Sequence, residues 1–199
     1  MRRLIVILGT LAIALAMAAP AAAAPPITES GSYQYASAST STCDQQGGGQ
    51  TTCTDTYVDV FSGPDYADAC VYQFSYAFGP SGRGRLISEV SGCAPADGFS
   101  IAADLTSASL GSTSIPVYSC GRRSCTDAGT VDVSASWLAV GTVNTYSGRS
   151  SFKDGSCTYR QTFSGASAEA SAVVTIDGTS SDAYGWMSRE EYTVTVRCR

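Results

Sequence analysis

Eight cysteines are the feature of this sequence that most constrains its fold. The chain of 199 residues contains no histidine and no Cys-x-x-Cys pair, so the usual ligand spacing of a zinc site is missing. An even number of cysteines in an exported chain predicts a framework of disulfide bonds. We therefore expect four disulfides, formed by Cys43, Cys53, Cys70, Cys93, Cys120, Cys125, Cys157 and Cys198.

The first residues predict that the chain is exported. Two arginines follow the initial methionine, an apolar run covers residues 4–19, and a proline and four alanines come next. A basic start, an apolar middle and small residues after it are typical of a signal peptide, and the run is shorter than the roughly 20 residues of a membrane-spanning helix. We predict a signal peptide over residues 1–23, cleaved after Ala22 or Ala23, and a secreted product without a membrane anchor.

The sequence also contains an internal repeat. A Cys-Thr-Asp triplet at Cys53 leads into Val58-Asp59-Val60, and another at Cys125 leads into Val131-Asp132-Val133. Further along, Cys70-Val71-Tyr72 resembles Cys157-Thr158-Tyr159, and Val90-Ser91-Gly92 resembles Ile176-Asp177-Gly178. Because these landmarks keep their order, we predict two related β units, over residues 32–119 and 120–199, after a disordered lead-in over residues 24–31.

The repeat favours one pairing of the cysteines. If the two units are equivalent, Cys43–Cys53 and Cys120–Cys125 are matching local bridges, while Cys70–Cys93 and Cys157–Cys198 close larger loops. A second pairing stays open, because the segment that ends at Cys120 also resembles the segment that ends at Cys198. That pairing joins Cys70 to Cys120 and Cys93 to Cys125.

Alternation of apolar and polar residues predicts strands and no helices beyond the signal peptide. The clearest strands cover residues 70–78, 131–139, 168–176 and 192–198, and weaker ones cover residues 32–42, 50–62, 84–91, 99–105, 115–120 and 142–152. Short turn sequences between them indicate an antiparallel meander. The predicted fold is all-β, an antiparallel sandwich or barrel built from two similar disulfide-stapled meander units, which form either one domain or two.

One packing arrangement follows from these patterns. Tyr72, Phe74, Tyr76 and Phe78 share one face of their strand, and alanines dominate one face of residues 168–176. A flat alanine face packs closely against large rings, so we expect these two faces to oppose each other in the core.

Catalytic chemistry is poorly represented. The absence of histidine removes the usual general base and the Ser-His and Cys-His nucleophile systems. Ser150-Ser151-Phe152-Lys153 has the S-x-x-K spacing, but it lies on a predicted strand, whereas that motif requires a helical turn. Asp59 and Asp132 are the candidates for a glycosidase-like carboxylate pair, although a carboxylate between two core valines ordinarily faces water.

Binding chemistry is represented by a few residues. The segment Asp177–Asp182 resembles an acidic calcium loop, but it lacks the alternating oxygen ligands of such loops, so we predict a plain turn and no metal or other cofactor. Arg122 and Arg123, in the short loop between Cys120 and Cys125, suit insertion into a partner such as a protease. Trp186 lies in a polar stretch and suits a sugar-binding platform with Tyr33 and Tyr35, whereas Trp137 lies on an apolar strand face.

Charge limits the partners further. Loss of Arg2 and Arg3 with the signal peptide takes the formal charge from −5 to −7, and an acidic chain does not favour nucleic acid or anionic membranes. Eleven arginines against one lysine are typical of a GC-rich bacterial genome.

We therefore predict a secreted, non-enzymatic extracellular protein with a binding or structural role, whose partner is an extracellular protein or a glycan. The alternatives are a carboxylate-dependent secreted hydrolase using Asp59 and Asp132, and a protease inhibitor acting through the Cys120–Cys125 loop.

Overall fold

A computed structural model describes residues 25–46, 50–79, 82–120 and 124–198. The predicted signal peptide, together with Arg122 and Arg123, lies outside these residues. Most of the described residues lie in strands and none of them lies in a helix, which confirms the predicted all-β class. The strands are β1 (Ile27–Gln46), β2 (Gln50–Ser62), β3 (Ala67–Phe78), β4 (Gly84–Pro95), β5 (Ser100–Ile101), β6 (Ser107–Cys120), β7 (Cys125–Ala139), β8 (Asn144–Asp154), β9 (Cys157–Ile176) and β10 (Thr179–Cys198).

All ten strands belong to one antiparallel sheet. Their order is β10-β1-β2-β3-β4-β6-β7-β9-β8, with β5 paired to β6. Since β10 pairs with β9 as well as with β1, the path of hydrogen bonding returns to the strand where it began. The link between β4 and β6 is the shortest in this circuit, with only Val90 and Ser91 in register with Ser119 and Tyr118.

The core lies on the inner side of this circuit. Alternation along the strands turns small apolar residues inward, among them Ala36, Val58, Val71, Val133 and Ala170. Trp137 of β7 is the largest fully buried side chain, and its indole N–H donates a 2.7 Å hydrogen bond to the carbonyl oxygen of Ser37 in β1. The ring needs a glycine opposite it, because a Cβ at Gly185 of β10 would lie 2.7 Å from its Cδ1 atom.

Four disulfides join neighbouring strands at positions directly in register. They are Cys43–Cys53 across β1 and β2, Cys70–Cys93 across β3 and β4, Cys120–Cys125 across β6 and β7, and Cys157–Cys198 across β9 and β10. These are the bridges of the first of the two pairings that the sequence left open.

The strand boundaries agree with the alternation pattern in some places and depart from it in others. β6, β9 and β10 begin well before the strands predicted over residues 115–120, 168–176 and 192–198. Residues 24–31 were expected to be disordered, but Ile27–Gly31 begin β1, because β10 offers them a complete ladder from Val196 to Tyr192. The strand expected over residues 99–105 is reduced to the two residues of β5. A unit boundary at residues 119–120 would cut the β6–β7 hairpin, whose ladder runs from Ser107 to the Cys120–Cys125 pair.

The expected packing of the β3 aromatic rings on the alanine face is wrong. Ala69 and Val71 of β3 are buried, while Tyr72 and Phe74 point to the outer side, where Phe74 makes an edge contact with Tyr57 at a ring-centroid distance of 6.1 Å. The inner space is already filled by alanines, valines, Trp137 and four other apolar side chains, so a row of four large rings does not fit there; the four are Leu105, Leu110, Ile115 and Met187.

Candidate functional site

Four strands continue beyond the closed part of the sheet. There β10 lies between the first residues of β1 and the first half of β9, and β8 pairs with the other side of β9. The pairing of β2 with β1 reaches only as far as Gln34, so β2 does not cover this part. We call residues 27–34, 144–154, 157–166 and 189–198 the extension. No residue of the fully buried core lies in it.

One face of the extension is aromatic. Tyr33 stacks on Tyr192 with ring centroids 5.2 Å apart, and Phe152 stacks on Tyr159 with centroids 4.7 Å apart and planes within 3°. Three rings cover glycines of the neighbouring strand, a pairing that compensates for the missing side chain. These pairs are Tyr192 with Gly31, Phe163 with Gly148, and Tyr146 with Gly165. The rings therefore hold the four strands together from one side.

Most side chains on the opposite face of the extension are short hydroxyl side chains. Residues directly opposite each other in an antiparallel ladder point to the same side, so the register defines this face. Its hydroxyls form cross-strand contacts, with 3.0 Å between Ser30 and Thr193 and 3.5 Å between Thr28 and Thr195. We call it the hydroxyl face; its serines and threonines are Thr28, Ser30, Ser32, Thr145, Ser147, Ser151, Thr158, Thr162, Ser164, Thr193 and Thr195.

Three adjoining cavities open along the hydroxyl face. The first, of about 540 Å³, lies where this face meets the loop containing Ala103 and Leu105. The second, of about 500 Å³, is lined by residues of β8, β9 and β10, and the third, of about 390 Å³, reaches Pro64 in the turn between β2 and β3. All three share Glu191, so they form one continuous groove with a largely polar floor.

The loop containing Ala103 and Leu105, which lines the first cavity, is held in one conformation by local hydrogen bonds. Leu105 is buried to 1% exposure, although its φ of 57° lies in a region that leucine rarely adopts. Its N–H bonds to the carbonyl oxygen of Ala102 at 3.0 Å, and the Asp104 carboxylate accepts hydrogen bonds from both the N–H and the hydroxyl of Thr106. These hydrogen bonds offset the cost of the strained backbone and hold the Leu105 side chain in place between the core and the groove.

The rings proposed for a sugar platform do not point into this groove, although Tyr33 is among the residues that line the first cavity. Trp186 is half-buried on the outer side of β10, between Ser37 and Glu169 on the neighbouring strands. Tyr35 lies one row further along the same surface, and Tyr33 belongs to the aromatic face of the extension. Trp137 is in the core, on the inward face of its strand.

The two candidate carboxylates are in different surroundings. Asp59 is half-buried and accepts a 2.9 Å hydrogen bond from the Tyr35 hydroxyl; burial raises its pKa, and this hydrogen bond opposes the shift. Asp132 is exposed and accepts a hydrogen bond from the Ser114 hydroxyl.

The structure does not bring Asp59 and Asp132 together. Their strands, β2 and β7, are four strand steps apart in either direction around the sheet, and both side chains point away from the core. At about 4.8 Å per step, this exceeds the roughly 5–9.5 Å between the carboxyl groups of a glycosidase.

The remaining sequence candidates are accounted for by local structure. Ser150 and Lys153 lie on opposite faces of β8, because they are three residues apart on a strand. Asp177 and Gly178 form the turn between β9 and β10, where the Asp177 carboxylate accepts the N–H of Asp132 at 2.9 Å. Among the described residues there is no group of three or more His, Cys, Asp or Glu side chains placed to hold a metal ion.

The hydroxyl face is the feature that sequence reasoning missed. A signal for it was present in β10, where Thr193 and Thr195 alternate with Tyr192, Val194 and Val196, and in β1, where hydroxyl residues recur at Thr28, Ser30 and Ser32. Recognising the face required the register between β1 and β10, which are separated by most of the chain.

Comparisons with known proteins give no relative that bears on function. No family model matches the chain, and neither does any curated protein. Among solved structures, the crystal structure of CghA with Sch210972 shows a likeness at 5% identity and a TM-score of 0.12, covering 81% of this chain and 88% of that chain. A likeness at that level carries no argument about fold or function. In the part of the chain that the structure describes, no helix is long and apolar enough to cross a membrane.

Proposed function

We propose that this is a secreted, non-enzymatic extracellular protein that binds a glycan in the groove of the hydroxyl face. The continuous groove over a ladder of serines and threonines carries the proposal. Each hydroxyl both donates and accepts hydrogen bonds, as the hydroxyls of a sugar do. The side chains are short and stand on paired strands, so little conformational entropy is lost when they bind.

A polar ligand suits this groove better than an apolar one. Small-molecule sites are mostly lined by apolar and aromatic side chains with a few polar groups. Here polar residues form the majority of the lining, since the second cavity is lined by Ser147, Thr162, Ser164, Glu191 and Thr193 among others. An apolar ligand would leave these groups without hydrogen-bond partners, which is unfavourable.

The disulfides, the N-terminal residues and the positions of the two candidate carboxylates are consistent with a secreted protein that is not an enzyme. Four disulfides are compatible with an extracellular protein, and the first 23 residues have the order of a signal peptide. The separation of Asp59 from Asp132 gives no support to a hydrolase that uses this pair.

We also propose that the strands form a single closed sheet made of two meanders of four strands each. The first meander is β1 to β4, and the second is β6, β7, β9 and β10. In each half, one disulfide joins the first and second strands and another joins the third and fourth. This common pattern supports duplication. One landmark weakens it, because Val90-Ser91-Gly92 lies within β4 whereas Ile176-Asp177-Gly178 includes the turn after β9.

Two serines of β8 provide a matched test. Ser147 lines the groove, Ser150 lies on the other face of the same strand, and both are exposed. Affinity electrophoresis of the mature protein in gels containing individual polysaccharides should show retardation by at least one of them. Ser147→Trp should weaken this binding at least about tenfold by filling the groove, and Ser150→Trp should leave it unchanged.

Two outcomes would count against the proposed function. Equal effects of the two substitutions would mean that the ligand does not occupy the groove. Release of reducing sugar from the retained polysaccharide would mean that the protein is an enzyme.

A further inference from the structure

Charged residues on the extension are separated by face. The hydroxyl face carries five basic side chains, Arg149 and Lys153 from β8, Arg160 from β9, and Arg189 and Arg197 from β10, against one acid, Glu191. The aromatic face carries the acids Glu29, Asp154 and Glu190 and no base. A random distribution of charges over exposed strands would not be expected to sort them in this way.

These basic residues are concentrated on one face although the chain as a whole is acidic. Seven basic residues fall within the described part of the chain, and five of them lie on this one face; the seven are Arg83, Arg85, Arg149, Lys153, Arg160, Arg189 and Arg197. Arg149, Lys153, Arg160 and Arg197 are exposed. We call these four the basic cluster.

The register gives the basic cluster no acidic neighbour directly across the strands. Arg160 lies opposite Ser151 and Thr195, and Arg149 lies opposite Thr162. Arg160 is the diagonal neighbour of the other three members, at the distance of about 7–8 Å that separates diagonal pairs in a sheet. Positive charges at this spacing repel one another, so an anion placed among them is stabilised.

We infer that the hydroxyl face binds a linear acidic polysaccharide, whose carboxylate or sulfate groups contact the basic cluster while its sugar hydroxyls contact the serines and threonines. Guanidinium groups bind such anions through two parallel hydrogen bonds. The inference rests on the proposed glycan function and specifies the class of glycan.

Other polyanions fit this face less well. Proteins that bind single-stranded nucleic acid stack its bases on aromatic side chains, and all the rings of the extension lie on the opposite face. A membrane-binding surface inserts apolar side chains between lipids, whereas this face presents hydroxyls and charges. An acidic polysaccharide requires only the two kinds of group that the face contains.

The test uses the mature protein with three soluble probes: polygalacturonate, dextran sulfate and neutral dextran. The dissociation constant for at least one acidic probe should be at least about tenfold lower than for dextran, and binding should weaken as salt is raised from about 50 to about 200 mM. Arg160→Gln should weaken binding of the acidic probe about tenfold, because it removes one charge-assisted contact. Arg85→Gln, which changes an exposed arginine of β4, should have no effect.

A second variant separates charge from folding. Arg160→Lys keeps the charge and should retain most of the salt dependence while losing part of the affinity. Circular dichroism and the midpoint of urea unfolding should be unchanged in all three variants, because both arginines are exposed.

Several results would overturn the inference. Binding of neutral dextran as tightly as dextran sulfate would remove the role of charge while leaving the glycan proposal intact. Tighter binding of oligothymidylate than of either acidic polysaccharide would point to nucleic acid instead. Equal losses in Arg85→Gln and Arg160→Gln would show that only net charge matters. No binding to any polysaccharide would refute both proposals.

Discussion

Replacing Trp137 with phenylalanine tests how the two halves of the sheet are held together. The indole lies on β7 and is fully buried, and its N–H reaches the Ser37 carbonyl of β1 on the other side of the core. Phenylalanine keeps an aromatic ring but loses this donor and about a third of the ring atoms. The change therefore affects one hydrogen bond and one packing contact.

The expected loss of stability is about 3 kcal/mol. Leaving a buried carbonyl without its partner costs about 1–3 kcal/mol. The smaller ring leaves a partial cavity beside Gly185, where the backbones approach too closely to adjust, and this adds about 1–2 kcal/mol. For a chain of this size, the sum corresponds to a fall in melting temperature of about 6–12 °C.

The assay is equilibrium unfolding in urea without reductant, followed by tryptophan fluorescence. Trp186→Phe is the matched control, since Trp186 is half-buried on the outer surface and should lose less than about 1 kcal/mol. Each variant retains one tryptophan, so both unfolding curves can be recorded. A loss below about 1 kcal/mol in Trp137→Phe, or equal losses in the two variants, would refute this account of the core.

Three further predictions concern stability. Burial raises the pKa of Asp59, so the folded state binds the carboxyl proton more tightly than the unfolded state does. The stability that this contributes is present below the ordinary carboxyl pKa and is lost as pH rises through the raised pKa. Asp59→Asn should therefore raise the urea midpoint at about pH 7 and lose this advantage at about pH 3. In Gly92→Ala the new Cβ would overlap the Pro116 carbonyl oxygen at the β4–β6 link and should cost about 2 kcal/mol or more, whereas Gly79→Ala, with no atom within 4 Å, should change stability by less than about 1 kcal/mol. Replacing both cysteines of a bridge with serine should lower the free energy of unfolding, measured in urea, by about 4 kcal/mol for Cys157–Cys198 and about 2 kcal/mol for Cys120–Cys125. The difference is expected because the bridged residues are 41 and 5 positions apart, and the longer loop loses more entropy on closure. Equal losses would mean that loop closure does not determine the contribution of these bridges.

Local patterns were sufficient to predict most of the strands. The predicted bounds of β2, residues 50–62, are those of the structure, and the clearest periodic segments lie within β3, β7, β9 and β10. These predictions succeeded because alternation with period two depends only on neighbouring residues. The beginning of β1 was missed because Thr28-Glu29-Ser30-Gly31 has no apolar alternation of its own, and its pairing partner lies near residue 195.

Which face of a strand is buried cannot be read from alternation alone. The Tyr72 side of β3 is the more hydrophobic one by side-chain size, yet Ala69 and Val71 occupy the core. The space inside the sheet is already occupied by Trp137 and the other core side chains, so opposite β3 there is room for small residues but not for its row of rings. Aromatic rings therefore pack on the outer surface, as Tyr35 does on Phe61 with ring centroids 5.0 Å apart.

The groove of the hydroxyl face could not be predicted from local sequence patterns, because it is formed by strands that are distant in the sequence. Its groove requires β8, β9, β10 and the first residues of β1 side by side, and the outer two of these strands are more than 100 residues apart in the sequence. The sequence candidates Asp59, Asp132 and Trp186 were each chosen from a local motif. None of them contributes to the groove.

The additional strand β8 explains why a polar surface exists here at all. In the first half of the chain a short turn joins β2 to β3, and both strands cover the core. In the second half the chain leaves β7 at Ala139, forms β8 and returns as β9, so residues 157–166 pair with β8 and β10 outside the core. The aromatic face and the Cys157–Cys198 bridge stabilise the extension from one side and at its end. Because these contacts hold the strands in place, the opposite face needs no apolar residues of its own, and its hydroxyls and cations remain available to a ligand.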